Sequence, residues 1–125
     1  MNGQTRCAIC KGYVLIPELC SPQLQAPDAG VWLRLLLLSP ALEECVIRAG
    51  LQESLIRREV SPVRPVLVST CAFALLHLGS GWPHALAVSA PGLALALLYR
   101  STRSWRWCTL VHSAMNAFAI SVCSL

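Results

Sequence analysis

Two acids, Glu43 and Glu44, stand side by side in a stretch that is otherwise largely apolar. At membrane depth a carboxylate costs at least about 2.5 kcal/mol, so ionisable residues kept there default to a functional role. The plainer alternative is an interfacial pair at a helix start, where the helix dipole favours anions. Arg48 follows Glu44 by four residues, on the same helical face, and can pair with it. Glu43 projects about 100° away from Glu44. It is left without a local cation, which suits a general base. His77 lies four residues after Phe73 in an apolar run, so the two rings share a face. A single imidazole in such a helix is more often structural than catalytic. His112 and Asn116 are also four residues apart and project from one face. They serve either as helix–helix contacts, worth about 0.6 kcal/mol per bond in membranes, or as donors to an oxyanion. Together these positions place two acids, two imidazoles and an amide in three helices, with almost nothing else ionisable there apart from Arg48.

These side chains have to be held by helices. The chain has 125 residues, enough for one domain, and is 55% hydrophobic with a mean hydropathy of +0.57. Only 13% of residues are charged, against about 25% in soluble domains. No Asp, Glu, Lys or Arg occurs from Pro65 to Tyr99 or from Trp107 to Leu125. Such runs suit bilayer-spanning helices of about 20 residues. The expected fold is therefore all-α, a multi-pass transmembrane helical bundle of roughly four to five membrane segments.

The first apolar run starts at Val31, and Ser39-Pro40 interrupts it. Ser as N-cap and Pro at the first helical position predict a kink or a fresh helix start there, continuing to about Arg57. Broken backbone of this kind is tolerated only beside protein or a watery cavity. Further helices are expected over 63–79, over 83–99 with a kink at Pro91-Gly92, and over 105–123. Trp82, Trp105 and Trp107 read as interfacial anchors, and His84 as interfacial. Residues 1–30 read as an irregular segment ahead of a membrane core over 31–125.

The +4 formal net charge is concentrated in two gaps, at Arg57, Arg58 and Arg64 and at Arg100, Arg103 and Arg106. Two helices separate these gaps, so they share a side, and basic loops stay in the cytoplasm. Gly81 then belongs on the opposite side. No basic face with interleaved aromatics exists, so nucleic acid is not an expected partner. Residues 1–12 are polar and Val14-Leu15-Ile16 is too short for a signal core. Of seven cysteines, Cys7 and Cys10 form a lone CxxC with Cys20 nearby, a weak zinc or redox signal. Cys45, Cys71, Cys108 and Cys123 lie in apolar segments as small apolar residues, and no disulfide is expected to be required.

The order Glu43-Glu44-Cys45-Val46-Ile47-Arg48, then Phe73 to His77, then His112 to Asn116, resembles the EExxxR, FxxxH and HxxxN motifs of one family. This is the CAAX protease and bacteriocin-processing family, which includes the type II CAAX prenyl endopeptidases. The resemblance covers roughly residues 39–120. It implies a metal-free, glutamate-dependent intramembrane endopeptidase in a plasma or inner membrane, acting on membrane-embedded peptides, with C-terminal tail processing as one role. By that analogy Glu43 activates water with His77, His112 and Asn116 stabilise the oxyanion, and Glu44 and Arg48 support the site. Two departures stand out: Ile47 precedes Arg48 where Phe is usual, and Ala49 separates Arg48 from Gly50. Members also usually carry more N-terminal membrane helices, which leaves a minimal form, a fragment or dependence on a partner as readings. Three alternatives compete. A zinc protease could use Glu and two His as ligands, although no HExxH is present. A non-catalytic scaffold or immunity factor could bind peptide or lipid tails in the same cavity. A proton-coupled carrier is disfavoured by the lack of an internal repeat.

Overall fold

The computed structural model describes residues 28–58 and 61–123; the segment bearing Cys7, Cys10 and Cys20 lies outside them. Residues 29–58 form one helical rod of alternating pitch. It comprises α1 (Ala29–Leu33), a π segment (Arg34–Leu38), α2 (Ser39–Glu44), a second π segment (Cys45–Gln52) and α3 (Glu53–Arg58). Asp28 caps the rod by accepting from the Val31 amide at 2.8 Å.

The rod does not restart at Ser39-Pro40. Leu38 and Ser39 both keep right-handed helical angles, and the Ser39 amide donates five residues back to Arg34 O. The wider π pitch carries the proline ring through the helix instead of ending it. Ser39 is accordingly not a helix cap; its hydroxyl donates to Glu43 Oε1.

α4 (Arg64–Leu76) opens with Pro65 in its first turn, where the missing amide hydrogen costs nothing. A 3₁₀ turn (Leu78–Ser80) follows, then Gly81 at φ 98°, a conformation that glycine adopts without penalty. α5 (Trp82–Thr102) runs on through Pro91, and α6 (Trp105–Cys123) completes the described chain. α5 packs against α4 on one side and α6 on the other, while α2 lies on α6. The apolar centre is Leu95, Tyr99 and Cys108, flanked by Ile56, Leu98, Trp105 and Val111.

Beside this apolar centre the interior holds polar side chains, and many large apolar ones lie outside. Glu44, Arg48, Gln52, Ser69 and His112 are buried, while Leu42, Val46, Leu75, Leu86, Leu110 and Phe118 face outward. Among the described residues, one helix, α5, is long and apolar enough to cross a bilayer. α4 has 13 residues and is too short by that measure. The rod is interrupted by π turns and charges.

Both arginine-rich gaps lie at the same end of the bundle, as their spacing predicts. Arg103 donates to Glu53 from Nε at 3.0 Å and from Nη2 at 2.6 Å. Arg57 Nε donates to the same carboxylate at 2.9 Å, and so does the Tyr99 hydroxyl at 2.9 Å. The Arg103 hydrogen bonds, then that of Arg57, hold the Glu53 carboxyl down at about 2. The same carboxylate raises Arg103 above its ordinary range.

Candidate active site

Glu43 projects from α2 into a cavity of about 800 Å³ whose wall includes His77, His84, His112 and Asn116. Its Oε1 is engaged by Ser39, one turn back on the rod. Its Oε2 is buried and has no hydrogen-bond partner among the described residues. That atom lies 3.9 Å from His77 Nε2 and 4.0 Å from His112 Nε2. Three elements thus aim one polar atom each at a common point: α2, the C-terminal end of α4, and α6.

The far side of each imidazole fixes its tautomer. His77 Nδ1 lies 2.9 Å from Phe73 O, a carbonyl that can only accept, so Nδ1 carries the hydrogen. His112 Nδ1 lies 2.9 Å from Glu44 Oε1, a carboxylate held by Arg48, so it too donates. In the neutral rings both Nε2 atoms are therefore acceptors, turned toward a carboxylate oxygen. Three acceptors around one point call for a group that can donate to more than one of them, and water does so. Phe73 spaces the two rings, at 4.8 Å from His77 and 5.5 Å from His112 between centroids.

Glu44 faces away from the cavity and orients the site from behind. Arg48 Nε donates to Glu44 Oε2 at 2.9 Å, with both side chains fully buried. The remaining guanidinium nitrogens reach Gln52 Oε1 at 3.3 Å and Gly92 O at 3.0 Å. Gln52 in turn accepts from Ser69 at 3.1 Å and donates to Ala96 O at 2.8 Å. A buried ion pair holds only if its remaining hydrogen-bonding groups are satisfied, and here Gln52 and two backbone carbonyls of α5 satisfy them. The absence of a side chain at Gly92 matters separately. A Cβ there would lie 2.8 Å from Phe73 Cδ1, and so press on the ring between the two imidazoles.

All six residues singled out in the sequence, Glu43, Glu44, Arg48, His77, His112 and Asn116, come together. Asn116 lines the cavity, and its Nδ2 donates to Leu35 O at 2.8 Å, leaving the second amide hydrogen for another acceptor. His84 is not merely interfacial: it lines the cavity, its ring 5.8 Å from that of His77. Gln52, Ser69 and Gly92 escaped the sequence reading. The one available signal was the run Glu44, Arg48, Gln52 at four-residue steps. Among the described residues, no set of three His, Cys, Asp or Glu side chains has a metal-holding arrangement. Cys45, Cys71 and Cys108 are free thiols.

Comparison with known families decides the lineage. Residues 25–118 match the family described as type II CAAX prenyl endopeptidase Rce1-like, a span that includes every residue of the site. The chain belongs to the Rce1-like type II CAAX prenyl endopeptidase family. Its members are membrane proteases, and this chain is a CAAX-type endopeptidase, a hydrolase. No curated protein and no solved structure matches it significantly. In the Rce1-like chain, Glu43 is the carboxylate that faces the cavity, and Glu44 is the one that braces His112.

Proposed function

We propose that the protein is a metal-free glutamate protease that spans the membrane several times and trims the C-terminal tails of membrane-associated peptides. The observation that carries this reading is Glu43 Oε2, buried and facing the Nε2 atoms of two imidazoles. A water bound between Glu43 Oε2 and His77 Nε2 gives up a proton to Glu43 as its oxygen attacks the scissile carbonyl. The oxyanion is met by the second amide hydrogen of Asn116, beside His112, whose ring Glu44 holds from behind. Glu43 then passes its proton to the departing amine. No acyl-enzyme forms.

Membrane spanning by more than α5 is supported by the outward-facing leucines and the inward-facing ionisable residues. The arginine-rich end lies on the cytoplasmic side, and residues 31–125 form the membrane core. Labelling of a cysteine placed at Gly81 from the cytoplasm would contradict that orientation.

Zinc is the second reading, favoured by the convergence of three acceptors on one point. Ligand atoms around a tetrahedral zinc stand about 3.3 Å apart, whereas the Glu43 and imidazole atoms are 3.9 Å and 4.0 Å apart. The set is wider than zinc requires, and no step is assigned to a metal. The test is cleavage of an internally quenched prenylated CAAX peptide by the protein in liposomes. We expect unchanged rates in a strong chelator. Loss of activity restored by added zinc would establish the metal instead.

A further inference from the structure

The Pro40 turn leaves the rod a backbone hydrogen bond short, and α6 makes it good. Proline has no amide hydrogen. In α pitch the unpartnered carbonyl is that of Leu36, four residues back; in π pitch it is that of Leu35, five residues back. The Ser39 amide bonding to Arg34 O shows the π pitch in place here. α6 sends a donor to each carbonyl: Ser113 Oγ to Leu36 O at 2.6 Å, and Asn116 Nδ2 to Leu35 O at 2.8 Å. Pro40 itself is fully buried. Ser113 and Asn116 are three residues apart on one face, immediately after His112. The turn that presents Glu43 is therefore tied by its backbone to the helix that presents His112.

We propose that Ser113 is a positioning residue coupled to Pro40. By donating to Leu36 O, one of the two carbonyls that α6 engages at the proline turn, it sets the distance between Glu43 and His112. The proposal rests on Glu43 and His112 forming the site, but its physical core, the coupling, is independent of activity.

The experiment is a double-mutant cycle on the full chain in detergent, with Ser113→Ala, Pro40→Ala and their combination, and with Ser113→Thr as the conservative control. Melting temperature reads the coupling. An amide hydrogen restored by Pro40→Ala lets the turn return to α pitch, in which that amide takes over Leu36 O. Ser113→Ala therefore lowers the melting temperature in the Pro40 protein and has little effect in the Pro40→Ala background. Cleavage of the quenched prenylated CAAX peptide, measured well below melting, reads the positioning. Ser113→Ala is expected to lower kcat about tenfold with KM within about twofold, the size of an unmade buried hydrogen bond, and Ser113→Thr to restore it. Equal melting losses for Ser113→Ala in both backgrounds would overturn the coupling. An unchanged kcat in folded Ser113→Ala would overturn the positioning role. Failure of every protein, wild type included, to cleave the peptide would count against the proteolytic reading, while the melting cycle would still decide the coupling.

Discussion

Glu53 at the arginine-rich end accepts hydrogen bonds from Arg103, Arg57 and Tyr99, while Glu44 inside the bundle accepts from Arg48 and His112. Glu44 and Arg48 are both fully buried, whereas the Arg103 side chain is 46% exposed and that of Arg57 is 75% exposed. Similar chemistry therefore meets different surroundings. Where water screens, the partners can be lost one at a time at small cost. Where it does not, removing one partner leaves a bare charge in an apolar interior. The lesson concerns what each carboxylate is for. Glu53 ties the α5–α6 loop to α3; Glu44 fixes the orientation of His112, and through it the direction in which Nε2 points.

The sharpest test of this contrast is Arg48→Met, which strands the Glu44 charge. We expect a loss of about 3–5 kcal/mol, seen as failure to accumulate folded protein or as a large fall in melting temperature. Adding Glu44→Gln should recover much of that loss, because the charge is then gone, yet leave cleavage impaired because His112 has lost its carboxylate. Gly92→Ala comes next. Its new methyl collides with Phe73, and overpacking of this kind costs about 1–3 kcal/mol. Cleavage should fall as well, since Phe73 spaces both imidazoles; measuring both quantities on one preparation checks the link. At the other end, Arg103→Ala should cost under about 1 kcal/mol. Arg103→Gly should cost still less, because Arg103 holds φ 52°. Equal losses at Arg48 and Arg103 would erase the distinction between the two centres.

The smallest effect is acid sensitivity at the exposed centre. Glu53 has a folded value of about 2 against an ordinary 4.5. Its depressed value means that its stabilisation is complete above about 4.5 and is lost as pH falls toward about 2. Salt and the exposed arginines reduce its size. Melting curves of wild type and Glu53→Gln should therefore converge across that window and stay parallel above it.

The sequence made much of this site legible because its chemistry is local. Glu44 with Arg48, Phe73 with His77, and His112 with Asn116 are each one helical turn apart, and a turn is what spacing can reveal. The helix limits were legible too, since charge-free runs and Pro or Gly punctuation bound α4, α5 and α6. Long-range partners stayed hidden. Gln52 meets Ala96, and Arg48 meets Gly92, across 44 residues of sequence. No periodicity announces such a meeting. His84 looked interfacial because Trp82 and Pro83 precede it, while the turn through Gly81 that swings it toward His77 is a tertiary matter. Ser39-Pro40 looked like a helix start because its residue types are those of a start. The rod passes it in π pitch, with donors from α6 on the carbonyls of that turn.

The central claim is that Glu43, and not Glu44, acts on the water. The direct measurement compares C-termini of membrane proteins in host cells carrying wild type or Glu43→Gln at equal abundance. Glutamine keeps the size and the Ser39 contact but cannot take a proton. Specific uncut tails are expected to persist only in the Glu43→Gln cells. Identical sets of C-termini from folded, equally abundant proteins would contradict it.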